Sequence, residues 1–118
     1  MPKPNVIRDK TYSFSVKIVF FCRKMIEVKE FVLSKQLLKS GTSIGANVRE
    51  AIQAQSRPDF ISKLSIALKE AHETEYWLSL IQDTTPAFAK EALQLQEEVK
   101  QIISLLTAII KTTKSRPE

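Results

Sequence analysis

The sequence contains few of the residues that interrupt secondary structure or form cross-links. It has only two glycines, Gly41 and Gly45, and its five prolines leave long uninterrupted stretches between them. A β-sandwich or barrel needs turn residues about every 8–12 positions, so this scarcity argues against an all-β fold. The chain has a single cysteine, Cys22, which excludes a disulfide framework or a cysteine-rich metal site within one chain. We expect Cys22 to be a small buried hydrophobic residue.

Long apolar runs are also missing. Residues 102–110 form the longest apolar stretch near the end of the sequence, and they are too few to span a bilayer. Residues 1–5 lack the apolar segment of a secretory signal peptide. We therefore expect a cytoplasmic protein without a membrane-spanning segment. A length of 118 residues with 43% apolar residues favours a single domain, 1–118, with a core of its own.

Apolar residues recur at helical spacing along four segments, at about 10–28, 31–54, 57–83 and 86–113. The last two segments follow Ser56 and Thr85, whose side chains are predicted to cap the helices. In the fourth segment the apolar positions alternate steps of four and three, namely Phe88, Ala92, Leu95, Val99, Ile102, Leu106 and Ile109. Four helices of similar length with short connections predict an all-α fold, an antiparallel up-down-up-down four-helix bundle.

The first helix carries apolar side chains on more than one face. Phe14, Ile18 and Phe21 form a stripe at helical spacing, whereas Val16 and Phe20 lie outside that stripe. A helix that is apolar around much of its circumference must be buried on several sides. One small bundle cannot bury all of these apolar side chains, so the pattern predicts a homo-oligomer.

Residues suited to catalysis or metal binding do not form a convincing set. His72 is the only histidine, and Lys69 occupies the position where a di-iron bundle requires glutamate. We predict no catalytic residues, no metal site, no cofactor and no enzymatic activity. An enzyme or metal protein that uses Glu70, His72 and Glu75 remains an alternative.

Glu75 falls at a predicted core-facing position, where a carboxylate is costly unless it has a partner. Arg49 and Lys63 are candidate partners, and Asn47 is another polar residue in a helical segment. We predict a structural polar cluster of Asn47, Arg49, Lys63 and Glu75 that fixes helix register or a subunit contact. A ligand-binding or catalytic pocket at these residues is the alternative.

The net charge of +5 is distributed unevenly. Residues 1–57 hold 11 Lys and Arg against 4 Asp and Glu, a surplus of seven, whereas residues 58–118 have a deficit of two. Such a basic surface can bind phosphates, although it can also be merely solvated. The candidate nucleic-acid-binding residues are Lys17, Arg23, Lys24, Lys35, Lys39 and Arg49.

Three motifs resemble the four-helix-bundle family of 23S rRNA intervening-sequence proteins, which is similar to the accessory variability proteins of diversity-generating retroelements. These motifs are Ser43–Ala51, Asp59-Phe60-x-x-Lys63 and Ile66–Leu78. The resemblance implies a bacterial protein that folds as an antiparallel four-helix bundle and assembles as a ring-like homo-oligomer, a pentamer. It further implies partners such as a reverse transcriptase and nucleic acid, bound through a basic surface.

Together these features predict a non-enzymatic, homo-oligomeric helical bundle that binds nucleic acid, RNA rather than DNA. The alternative is a protein-interaction or scaffold module with no nucleic-acid role.

Overall fold

Four antiparallel α-helices pack side by side in chain order in a computed structural model that describes residues 4–117, with side chains from residue 6. They are α1 (Pro4–Glu27), α2 (Phe31–Ile52), α3 (Arg57–Thr84) and α4 (Ala89–Ser115), and a 3₁₀ turn, Pro86–Phe88, precedes α4. No strand occurs within the described range, so the predicted four-helix bundle is confirmed. Residues 1–3 and 118 of the predicted domain lie outside that range.

The core is a column of apolar side chains contributed by all four helices. Its largest fully buried members are Phe14, Phe21, Ile18, Met25, Leu37, Ile44, Leu64, Leu78, Ile81, Ile102, Leu106 and Val48. Burying each such side chain contributes roughly 1.5–3 kcal/mol to folding. The predicted stripe of α4 is buried from Ala92 to Ile109, as its spacing requires. The bundle is 51 Å long and 20 by 19 Å across. Of the neighbouring helices, α1 and α4 contact each other least.

The first helix begins earlier than the sequence pattern predicts. The prediction of a start near residue 10 is wrong, because α1 is helical from Pro4. Proline suits the first turn of a helix, where its missing N–H has no partner to lose. Ile7 and Thr11 extend the buried stripe toward the start of the helix, and the Thr11 hydroxyl donates to the Ile7 carbonyl at 2.7 Å.

The helix ends differ in their hydrogen bonds and backbone conformation. Ser56 caps α3 as predicted, because its hydroxyl accepts a hydrogen bond of 3.2 Å from the Asp59 N–H. Thr85 makes no such side-chain bond, so that predicted cap is wrong, and a 3₁₀ turn starts there instead. Two residues beyond the end of α1, Lys29 has a φ of 66°, and the Glu30 N–H donates to the Met25 carbonyl at 2.9 Å. This is a Schellman motif with lysine where glycine is usual.

Both glycines lie at tight contacts between α2 and α1. A Cβ added at Gly41 would lie 2.9 Å from Cγ2 of Ile18, and one at Gly45 would lie 3.3 Å from the Thr11 carbonyl oxygen. Ile18 is fully buried and branched at Cβ, so it has little freedom to move aside. The close packing of these helices therefore offsets the low helix propensity of glycine.

We expect Gly41→Ala to lower the free energy of unfolding by about 1–2 kcal/mol. Overpacking a core costs roughly 1–3 kcal/mol, and the higher helix propensity of alanine returns at most about 1 kcal/mol. Urea denaturation monitored by circular dichroism measures the difference. Gln36→Ala, at an exposed α2 position, is the matched control and should change the value by less than about 0.5 kcal/mol. Equal or greater stability of Gly41→Ala would show that the helices can separate without cost.

Candidate nucleic-acid interface

Lys17 and Lys24 lie seven residues apart on the side of α1 that faces α4. Lys17 forms an ion pair with Glu98 at 2.9 Å, and Lys24 forms one with Glu91 at 3.1 Å. Such solvent-exposed pairs contribute roughly 0–1 kcal/mol to stability. The pairs matter more for binding than for stability, because they compensate the charge of two of the six predicted nucleic-acid-binding residues.

The two predicted arginines lie over aromatic rings on the outer surface. The guanidinium carbon of Arg23 is 5.7 Å from the centre of the Phe20 ring, and that of Arg49 is 5.4 Å from the centre of the Tyr12 ring. Each arrangement is a cation–π contact, which leaves the positive charge uncompensated. Both arginines therefore remain available to an anion.

Lys35 and Lys39 lie one turn apart on the exposed side of α2. Between residues 4 and 117, neither ammonium group contacts a carboxylate. The structure therefore does not gather the six predicted residues into one patch: two are paired to α4, two are stacked on aromatic rings and two are free on α2.

The predicted polar cluster does not form. No contact within the described residues joins Glu75 to Arg49 or to Lys63. The other members have separate partners: Asn47 donates to the Ser43 carbonyl at 2.8 Å, Lys63 pairs with Glu50 at 3.1 Å, and Arg49 lies over Tyr12.

Glu75 does not join a polar cluster because of the direction in which α3 presents its polar residues. The buried stripe of α3 runs through Ala71, Thr74 and Leu78, so Thr74 takes the core position and Glu75 lies at the edge, half-buried. Thr74 satisfies its hydroxyl locally, because it donates to the Glu70 carbonyl at 2.7 Å. A threonine tolerates burial in this way, whereas a carboxylate there would require a buried cation.

Sequence reasoning missed the polar contacts that do lie inside the bundle. The Thr74 and Ser40 hydroxyls are 3.0 Å apart between α3 and α2. Gln96 of α4 is buried, accepts a hydrogen bond of 2.9 Å from Ser79 and donates to Gln82. The available signal was that Gln96 directly follows the core position of Leu95, which places it at the edge of the buried stripe.

A groove of about 530 Å³ runs along the sparse boundary between α1 and α4. Phe20 and Leu95 give it apolar walls, while two lysines and two glutamates, Lys17, Lys90, Glu91 and Glu98, add equal numbers of positive and negative charges. This mixture suits an amphipathic protein surface better than a polyanion, because the carboxylates would repel phosphates.

His72 lies exposed on the outer side of α3. Across residues 4–117, histidine, cysteine, aspartate and glutamate side chains do not come together in the groups of three needed to hold a metal ion. Glu73 beside it accepts a hydrogen bond of 3.4 Å from the indole N–H of Trp77. The lack of catalytic function stays a prediction.

Comparison with family models decides the relationship that the motifs suggested. Residues 3–108 match the model of the 23S rRNA-intervening sequence protein family, which is most of the chain. The chain belongs to that family.

A solved structure of a family relative supports the fold at high identity. It is the 1.70 Å crystal structure of a protein of unknown function from the S23 ribosomal protein family of Bacteroides thetaiotaomicron. The two sequences are 53% identical, the match covers 93% of this chain and 99% of the other, and the TM-score is 0.89. No protein with a curated description matches the chain. In this family member, no helix between Pro4 and Pro117 combines the length and apolarity needed to cross a bilayer.

The single cysteine of this family member lies inside the core, as expected. Cys22 is buried, and its thiol donates to the Ser34 carbonyl at a distance of 3.5 Å. Desolvation by burial raises the pKa of Cys22 from an ordinary value of 9.0 to about 12. The thiol is therefore protonated at neutral pH and is a poor nucleophile.

We expect Cys22 of the folded protein to react with a disulfide reagent at pH 8 at least about a hundredfold more slowly than in urea, because the thiolate is the reactive form. Since the folded-state pKa exceeds the unfolded value, the thiol stabilises the fold below pH 9, and that contribution is lost as the pH rises toward 12. Absorbance of the released reagent measures the rates. Equal rates in both states would contradict the burial of Cys22.

Proposed function

We propose that this protein is a non-enzymatic, homo-oligomeric helical bundle of the bacterial cytoplasm that binds nucleic acid, RNA in preference to DNA. The observation that carries the proposal is the combination of a surplus of positive charge with an uncovered apolar face on α1. The first feature suits a polyanionic partner, and the second suits another copy of the chain.

The outward face of α1 supports self-association. Phe20 is 57% exposed and Val16 is 38% exposed, on the side of the helix opposite its buried stripe. Tyr12 continues this row one turn earlier, at 59%. We name Tyr12, Val16 and Phe20 the outer stripe. Large exposed apolar residues in a continuous row are typical of an interface, and ring-like assembly into a pentamer, the arrangement that the family resemblance implies, would cover them.

Net charge supports nucleic acid as the partner. The protein has 18 Lys and Arg against 13 Asp and Glu, and a surplus of this kind attracts phosphates at long range. We take structured RNA as the preferred ligand because the family is named for sequences that intervene in 23S rRNA. Reversing the charge of Lys17 and Lys24 would place glutamates against Glu98 and Glu91, so that substitution would also loosen the bundle.

A protein-interaction or scaffold role is the second candidate. Tyr76 is 60% exposed on α3 and packs edge-on against Trp77, with ring centroids 5.1 Å apart. Exposed aromatic pairs are frequent anchors of protein interfaces. A reverse transcriptase or another protein that co-purifies without nucleic acid would favour this role.

We expect Phe20→Glu to convert the oligomer to a monomer of about 13.4 kDa, because a carboxylate at the centre of the outer stripe would be buried without a partner. Sedimentation velocity measures the mass. Phe20→Leu is the matched control, since it keeps the position apolar, and it should retain the assembly. A wild-type protein that sediments as a monomer, or a Phe20→Glu variant that still assembles, would contradict the proposed interface.

We expect the wild-type protein to bind an RNA hairpin at low salt, with an affinity that falls steeply between about 50 and 200 mM salt, because binding releases condensed cations. A DNA hairpin of the same sequence should bind more weakly. Fluorescence anisotropy at several salt concentrations measures both. Failure to bind RNA at 50 mM salt, or binding that salt does not affect, would refute nucleic-acid binding.

A further inference from the structure

The positive charge of the molecule is concentrated at one end of the bundle. Because the helices alternate in direction, the starts of α1 and α3 and the ends of α2 and α4 lie together. Contacts confirm this neighbourhood: Lys63 of α3 pairs with Glu50 of α2 at 3.1 Å, and Arg57 of α3 donates to the Arg116 carbonyl beyond α4 at 2.6 Å.

We name this region the basic end. Its cationic residues are Arg8, Lys10, Arg49, Arg57, Lys63, Lys111, Lys114 and Arg116, and its acidic residues are Asp9, Glu50 and Asp59. Eight positive charges against three leave a surplus of five. The rest of residues 4–117 holds nine Lys and Arg against nine Asp and Glu and is therefore neutral. The surplus of positive charge that the sequence analysis assigns to residues 1–57 therefore lies at one end of the fold.

Three cations at the basic end contact no carboxylate within the described residues, whereas Arg8 pairs with Asp9 and Lys63 pairs with Glu50, both at 3.1 Å. Lys111 and Lys114 are exposed on the last turns of α4, and neither contacts a carboxylate within the described residues. Lys10 donates to a neutral amide, that of Gln101, at 2.8 Å. By contrast, Lys17 and Lys24 each contact a glutamate. Phosphates would therefore find uncompensated positive charge at the basic end.

The size of the basic end also fits a nucleic acid. Its cross-section is about 20 Å, and its cations come from all four helices. A duplex carries about one negative charge per 1.7 Å of its axis, so a surface of this width meets several phosphates at once. Long, flexible lysine and arginine side chains can adapt to phosphate positions without a preformed pocket.

We propose that the basic end binds the phosphate backbone of structured RNA, and that Lys35 and Lys39 on α2 contribute little to the affinity. This inference rests on the proposed nucleic-acid function and assigns its site. Recognition at this end reads the backbone, so it is expected to favour duplex shape over base sequence.

The test compares two pairs of substitutions with the same change in charge. Lys111→Glu with Lys114→Glu alters the basic end, and Lys35→Glu with Lys39→Glu alters the outer side of α2; each lowers the net charge by four, from +5 to +1. The probe is an RNA hairpin of about 16 base pairs, the span that duplex-binding domains cover. Fluorescence anisotropy gives the affinity, and circular dichroism confirms that each variant keeps the helical content of the wild type.

At 50 mM salt we expect the first pair to weaken binding at least about tenfold and to reduce the salt slope by about two. The second pair should weaken binding by less than about threefold. If the glutamates unfold the α4 end, Lys111→Gln with Lys114→Gln should give a smaller loss in the same direction.

Equal losses from the two pairs would overturn the assignment to the basic end while leaving RNA binding intact. No binding by the wild type would instead refute the proposed function itself. Vesicles that contain phosphatidylserine serve as a parallel probe. Wild-type binding to these vesicles but not to the hairpin, lost in the Lys111 and Lys114 variant, would identify a membrane as the partner and overturn the RNA proposal.

Discussion

The first helix carries apolar side chains around more of its circumference than the other three helices can cover, and this constraint shapes the structure. Its inner stripe, with Phe14, Ile18 and Phe21 fully buried, requires a close approach by α2. Gly41 and Gly45 permit that approach, because any Cβ at those positions would meet α1. The outer stripe then remains in contact with solvent in an isolated chain, and this exposure is the basis of the proposal that a second copy covers it.

The boundary between α1 and α4 is held differently from the others. It is the sparsest of the helix contacts, and ion pairs from Lys17 and Lys24 cross it above the apolar layer. Exposed ion pairs stabilise weakly, so they add little to the stability of this boundary. The groove beside it adjoins Phe20, which places the loosest helix contact next to the proposed interface.

The sequence was a good guide wherever burial follows a regular period. The stripe of α4 from Ala92 to Ile109 could be predicted because a helix packed at a shallow angle must repeat every three or four residues. The prediction from the period was wrong at Glu75, because the core position is one residue earlier. Thr74 is the residue that is buried. No local pattern shows which of two adjacent polar residues points inward.

The distribution of charge could not be predicted from one-dimensional order. Lys63 and Lys111 belong to the half of the sequence with net negative charge, yet both lie at the basic end because α3 starts and α4 finishes there. Lys17 and Lys24 looked available for binding, and only their position opposite α4 shows that they are paired. Topology therefore determines which cations remain uncompensated.

The proposed assembly depends on another copy of the chain covering the outer stripe. Tryptophan fluorescence tests it most directly, in a variant that combines Phe20→Trp with Trp77→Phe so that the only indole lies at position 20. If another copy covers position 20, we expect the short-wavelength emission of a buried indole at micromolar concentration, and a shift to longer wavelength upon dilution as the copies separate. Emission typical of a water-exposed indole at every concentration would contradict it.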